Sequence, residues 1–200
     1  MFFSFDGVDG VGKSTQLEHF CQWLRGRGRE VTVCRDPGST PLGERVREIL
    51  LASGDETPIG GRAEMLLYMA ARAQLVDQVI RPALAAGRTV VSDRFLLANL
   101  VYQGHAGGLP VGDVAAVGEV AIAGVRPACT FLLDMDPRAA DKRITRDRDR
   151  MEQRGDAYRQ KLREGFLSRA AADPAVHVVD ADQSVEAVQA AIRQIAGRVM

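Results

Sequence analysis

The stretch FDGVDGVGKSTQ, residues 5–16, contains the spacing Gly7-x-x-x-x-Gly12-Lys13-Ser14. This pattern suits a loop that wraps a phosphate chain. Inward-pointing backbone N–H groups supply the donors. Glycines allow the backbone angles and the close approach, and the N-terminus of the following helix adds positive potential. Candidate binders of a triphosphate are therefore Gly7, Val8, Asp9, Gly10, Val11, Gly12, Lys13, Ser14 and Thr15. Lys13 is placed to reach the β- and γ-phosphates, and the Ser14 hydroxyl to ligate Mg²⁺. Asp9 is the anomaly, a carboxylate inside an anion-attracting loop. It either stabilises the turn or points away from the N–H groups.

A second set of anion-binding residues lies further along. Arg35 precedes Asp36-Pro37-Gly38, Arg72 sits in an otherwise apolar helical pattern, and Arg94 directly follows Asp93. Taken singly, each is an ordinary surface ion-pair former. Arg35 and Arg94 stand at predicted strand ends, where open α/β sheets gather their ligands. Around one crevice, the three arginines make a second anion site.

A phosphate loop alone specifies nucleotide binding, not a reaction. The chain has no Asn-Lys-x-Asp base-reading motif, which argues against a GTP-dependent switch. Asp93 is followed by Arg94 rather than by a second acid, which argues against a motor-type ATPase. A small-molecule kinase fits best. A module that binds nucleotide without transferring phosphate is the alternative.

The elements that must position these residues follow from periodicity. Short apolar runs at 2–5, 31–34, 89–92, 130–133 and 176–179 read as strands. Leu17, Phe20, Cys21 and Leu24 form the stripe of an amphipathic helix, ended by Gly26 and Gly28. A further helix spans about 42–51, and a loop 53–61. From Arg62 a long helix carries the stripe Leu66, Met69, Ala73, Val76 and Ile80, with Tyr68, Arg72, Leu75 and Val79 beside it. Pro82 should kink or restart that helix. Helical pattern then runs to about 124, interrupted near Gly107, and a last helix starts at Ser184. Strands alternating with helices of this length argue for one α/β domain, its parallel sheet covered on both faces.

Composition narrows the classes. Twenty-six basic residues balance twenty-six acidic ones, against nucleic-acid binding. Three separated cysteines without a CxxC pair argue against a zinc site or a disulfide framework. His19, His105 and His177 share no metal-ligand spacing. No basic leader and no bilayer-length apolar run is present, so a cytoplasmic protein with no membrane partner is expected.

FDGVDGVGKSTQ, RDPGSTPLGE, YMAARAQLV, DRFLLANLVYQG and DRMEQ, in this order, resemble the thymidylate kinase family over residues 2 to about 166. The resemblance implies a P-loop NTPase fold with a five-stranded parallel sheet, and transfer of the γ-phosphate of ATP to dTMP with Mg²⁺. It implies that Arg35 and Arg94 hold the dTMP phosphate, that Arg72 hydrogen-bonds the thymine and that Tyr68 stacks on it. Asn99 would contact the base edge and Tyr102 the deoxyribose, with Gln103 completing the dTMP site. Asp9 would face the acceptor's 3′-hydroxyl and the metal's water shell, and Asp93 would reach Mg²⁺ through water. The family's motif often carries a cis bond at the position of Asp36–Pro37.

Asp6 and Asp36 stand where the family usually has glutamate, Ser39 where it has glycine and Tyr68 where it has phenylalanine. The run KRITRDRDRMEQR, residues 142–154, reads either as a solvated helix face or, by resemblance, as part of a mobile lid at about 142–156. Family members without an arginine in the phosphate loop supply that charge from the lid. Gly10 matches that arrangement, making Arg150 and then Arg146 the catalytic candidates alongside Lys13, Arg94 and Asp9. Glu152 is a further candidate toward the metal or substrate. Another nucleoside monophosphate kinase is the nearest alternative, and a homodimer is the family's expected assembly.

Overall fold

The computed structural model describes residues 1–51, 58–144 and 154–200. The five apolar runs become strands β1 (Phe2–Asp6), β2 (Val31–Arg35), β3 (Thr89–Asp93), β4 (Cys129–Asp134) and β5 (Val176–Asp180). They form one sheet in the order β2-β3-β1-β4-β5, every pair parallel. Each strand runs past its last apolar residue onto a charged one, Asp6, Arg35, Asp93, Asp134 or Asp180. Apolar runs alone stop short there, because ladder hydrogen bonds are made by the backbone and ignore side-chain polarity. The register sets Arg35 opposite Asp93, and Phe5 opposite Asp93 on the other side. The charged strand ends thus meet at one edge of the sheet.

Alternation along β1 feeds two cores. Phe3 and Phe5 pack with Phe20, Phe131 and residues of helices α1 (Lys13–Gly26), α8 (Asp156–Ala172) and α9 (Val185–Val199). Phe2 joins Val90, Cys34 and residues of α3 (Gly61–Leu75) and α6 (Val111–Ile122). Helix α2 (Pro41–Leu51) packs against α3, with Val46, Leu50 and Ala71 between them. The short α7 (Pro137–Asp141) is capped by Asp136, whose side chain accepts from Arg138 and Ala139 N–H groups.

Leu17, Phe20, Cys21 and Leu24 are buried on α1 as the stripe requires. The long helix departs in one place: Leu66 is 53% exposed, and the buried residues of that turn are Glu64 and Met65. Met65, one turn before Met69, takes the core position.

Ahead of Pro82 the helix widens into a π segment, Val76–Ile80, and continues as α4 (Arg81–Ala85). The Arg81 N–H reaches back to the Val76 carbonyl, a five-residue step. Proline has no N–H to close the ordinary bond, so the irregularity falls beside it. A second π segment, Leu100–His105, continues α5 (Leu96–Asn99) and is not legible from periodicity. It carries Tyr102 and Gln103.

Candidate active site

Between Asp6 and Lys13 the chain turns from β1 into α1. Gly7 has φ 135°, and a Cβ there would collide with the Leu133 carbonyl oxygen. Gly10 has φ 87°, and its Cβ would collide with the Ala140 carbonyl oxygen. Both positions are closed to any side chain. The loop's polar groups are internally organised. Lys13 Nζ donates to the Gly7 and Val8 carbonyls at 3.1 and 2.8 Å and to Asp9 Oδ1 at 3.2 Å.

Asp9 turns toward the arginines. Its Oδ1 accepts from Arg94 Nη2 at 2.6 Å, and its Oδ2 from the Tyr102 hydroxyl at 3.4 Å. Burial alone would raise the Asp9 pKa, but the Arg94 and Lys13 cations outweigh it and hold the carboxyl well below its ordinary range. Burial, with Arg94 nearby, lowers Lys13. Arg94 has φ 66°, donates to the Gly7 carbonyl at 3.1 Å and lies 5.1 Å from the Tyr102 ring centroid. Behind them Asp6 is fully buried, and desolvation raises its pKa to about 7.

The opposite wall is a set of side chains drawn from several segments. Arg72, 1% exposed, donates from Nε to Asp36 Oδ2 at 2.6 Å and from Nη2 to Asn99 Oδ1. Burial raises the Asp36 pKa, with the Arg72 charge opposing the shift. Asn99 in turn donates to Gln103 Oε1 at 2.7 Å. Asn99 and Tyr102, the latter on the π segment, both line the cavity, Asn99 bonded to Gln103 and Tyr102 to Asp9. Arg35 lies at the rim, its guanidinium bonded to Glu44 at 2.6 Å. Tyr68 packs on Val46, Leu50 and Ala71 and lines the same cavity. The Asp36–Pro37 peptide is cis.

A cavity of about 770 Å³ joins the two sets. The loop from Asp9 to Thr15 forms one wall, and Arg35, Tyr68, Arg72, Arg94, Asn99, Tyr102 and Gln103 line the rest together with Asp93. Gly7 and Val8 are set behind it; the Gly7 carbonyl anchors Lys13 and Arg94, and Val8 lines a separate small void. Arg146, Arg150 and Glu152 lie outside the described residues.

Two parts of the cavity escape sequence reasoning. Arg47 lines it and donates to the Pro37 carbonyl at 3.2 Å; burial, with Arg35 nearby, lowers its pKa. As an arginine on an amphipathic helix it carries no signal. The second is a wall of Ala181, Gln183 and Val185, next to Arg143 of the basic run and beside the start of α1, where Gln16 Nε2 donates to the Val185 carbonyl at 3.1 Å. Only the general rule for strand ends points to the turn after β5.

The sheet, the loop and the joined cavity define a phosphate-loop nucleotide-binding protein. A model of the family described as thymidylate kinase matches residues 5–192. The thymidylate kinase of Bifidobacterium longum (strain NCC 2705) is 45% identical over 195 residues, covering 96% of this chain and 95% of that one. That of Symbiobacterium thermophilum is 44% identical over 202 residues, covering 100% and 94%. The crystal structure of thymidylate kinase from Ehrlichia chaffeensis superposes with a TM-score of 0.79 at 26% identity, covering 98% of both chains. The chain belongs to the thymidylate kinase family, and it is a kinase.

Proposed function

We propose that this chain transfers the γ-phosphoryl group of ATP to dTMP, giving dTDP and ADP, a step toward dTTP for DNA replication. The observation that carries this reading is the cavity joining the phosphate loop to the Arg72–Asn99–Gln103 wall, with Asp9 and Arg94 between them. The loop and Lys13 take the donor phosphates. Arg94 and Arg35 take the acceptor phosphate, Arg35 exchanging Glu44 for it, with Arg47 beside them. Arg72 and Asn99 read the base edge, Tyr68 stacks on the ring and Tyr102 covers the sugar.

The acceptor phosphate is already an anion, so no general base is required. The barrier lies in bringing two polyanions together, and positioned cations lower it. Asp9 does not oppose the donor phosphates in this arrangement, because its charge is engaged by Arg94 and Lys13. Mg²⁺ fits the residues present. Ser14 and Asp93 both line the cavity, and the buried Oδ1 of Asp93 has no hydrogen-bond partner among the described residues. Few protein ligands, with substrate phosphates and waters completing the shell, suit this cation. When bound it would neutralise the charge on the transferred group.

The lid at about 142–156, with charge supplied by Arg150 and Arg146 and with Glu152 toward the metal, is part of the proposal. Its support is Gly10: the Ala140 carbonyl leaves no room for an arginine in the loop. The whole chain is read as one nucleoside monophosphate kinase domain. A homodimer is proposed through the helices on whose surface Leu42, Ile49 and Leu66 are exposed. Cytoplasmic residence is proposed with the activity; among the described residues no helix is long and apolar enough to cross a membrane.

A coupled assay with ATP and a panel of nucleoside monophosphates tests the function. Preferred turnover of dTMP is expected. Preference for another monophosphate, or no turnover of any, overturns it.

A further inference from the structure

Behind the base-reading wall lies a buried carboxylate that the proposed function does not use. Glu64 on α3 is 2% exposed. Its Oε1 accepts from Gln103 Nε2 at 2.9 Å, and its Oε2 from Arg154 Nη2 at 3.1 Å. Gln103 Oε1 accepts from Asn99, and Asn99 Oδ1 from Arg72. Every hydrogen bond in this series runs the same way, from Arg72 toward Glu64.

Asn and Gln amides have nearly the same shape in either flip, so their neighbours decide which end presents oxygen and which presents N–H. A guanidinium can only donate and an ionised carboxylate can only accept. With Arg72 at one end and Glu64 at the other, only one orientation satisfies both amides. Reversing either one sets donor against donor or acceptor against acceptor in a buried site. Arg154 sets an opposite charge against the buried Glu64. Its guanidinium lies 5.0 Å from the Tyr158 ring centroid, and the Tyr158 hydroxyl donates to the Tyr102 carbonyl at 3.1 Å. The same pair therefore steadies the π segment that carries Tyr102 and Gln103.

We propose that Glu64, held by Arg154, is a positioning residue that fixes the polarity of the Arg72–Asn99–Gln103 series and thereby sets the hydrogen-bonding face offered to the pyrimidine. This rests on the reading of that wall as the dTMP base site. Among the described residues Glu64 bonds to Gln103 and Arg154 and not to the phosphate loop, so its loss is expected to act on acceptor binding.

The test compares E64Q and R154Q with wild type for KM of dTMP, KM of ATP, kcat and thermal melting. The amide introduced by E64Q has one oxygen and cannot accept from both neighbours in the way the carboxylate does. E64Q should raise KM for dTMP about tenfold, the effect of one buried polar mismatch. KM for ATP should stay within about twofold, and kcat at saturation should be largely kept. R154Q, partly exposed and easier to fold, should raise KM for dTMP about threefold; Arg154 lies within the proposed lid, so for this variant only KM for dTMP decides. An unchanged KM for dTMP in folded E64Q overturns the proposal. So does a parallel rise in both KM values, which marks general support of the fold. If E64Q does not fold, R154Q decides: an unchanged KM for dTMP overturns the proposal. R72K separates the two readings. If it binds dTMP as wild type does, the base site lies elsewhere and this inference falls with it. If R72K loses dTMP while E64Q does not, only the role of Glu64 falls.

Discussion

The phosphate loop and the wall facing it solve the same problem by different means. In the loop, each left-handed backbone position is a glycine: Gly7, Gly10 and Gly12, at φ 135°, 87° and 91°. Across the cavity, Ser39 and Arg94 hold φ 62° and 66° with full side chains. The proposed donor site is contiguous and built from backbone. The proposed acceptor site is built from side chains that begin at Arg35 and end at Gln103, drawn together by the sheet and the helices beside it. A backbone site tolerates substitution at its variable positions but not at its glycines. A side-chain site depends on each partner's identity and on the residues that orient it.

Lys13→Ala is the most severe way to break the donor half. Lys13 is the loop's only side-chain cation, and it is buried. Its loss should lower kcat by about 10²–10³ while dTMP affinity, held by the opposite wall, changes little. Steady-state turnover together with calorimetric dTMP binding checks both halves of the statement. Near wild-type turnover would remove Lys13 from the donor site.

The second test asks whether the donor half is complete within the loop. Gly10 has no room for a side chain, so any further cation must arrive from outside. Arg150→Ala should lower kcat by about 10², with dTMP binding nearly intact, because that charge matters mainly in the transition state. If only dTMP affinity falls, Arg150 belongs to the acceptor wall instead.

This division also explains what the sequence can tell. The loop is legible because its chemistry depends on spacing within nine residues, and the strand–loop–helix context is visible around it. The sheet is legible because buried parallel strands are nearly continuous apolar runs. Their ends lie one residue beyond the apolar run, since the charged end residues pair through backbone alone. Leu66 falls on the wrong face because two apolar stripes overlap on α3, and only packing chooses between Met65 and Leu66. Glu64 gives no signal: a glutamate in the first turn of a helix is ordinary, and its burial depends on Gln103 and Arg154 arriving from far along the chain. The π segment that carries Tyr102 leaves no trace in hydrophobic periodicity.

Tyr102 sharpens the comparison on the acceptor side. Its hydroxyl is engaged by Arg94 and Asp9, so its ring is fixed in place beside the proposed sugar position. A ribose 2′-hydroxyl pressed against that ring would be buried without a partner, at about 1–3 kcal/mol, or roughly tenfold in selectivity. Tyr102→Ala should shrink the kcat/KM preference for dTMP over its ribo counterpart by about that factor. Tyr102→Phe should keep the preference, since it keeps the ring. An unchanged ratio in folded Tyr102→Ala would show that the sugar is selected elsewhere.

The smallest effect concerns the backbone contrast itself. Ser39 holds a left-handed conformation that glycine adopts freely and other residues adopt at roughly 1–2 kcal/mol. Its hydroxyl partly offsets this by accepting from the Arg35 N–H at 2.9 Å, while its own N–H donates to Glu44 Oε1 at 2.6 Å. Ser39→Ala loses the hydroxyl bond and keeps the strain. Ser39→Gly loses the same bond but relieves the strain. Ser39→Gly should therefore be more stable than Ser39→Ala by about 1 kcal/mol, measured by urea denaturation at matched m-values. Relative to wild type, Ser39→Gly should lie near neutral, because the relieved strain and the lost hydrogen bond are of similar size. Equal stability of the two variants would mean that the acceptor loop relaxes around residue 39. The side-chain wall would then be more compliant than the glycine-built loop it faces.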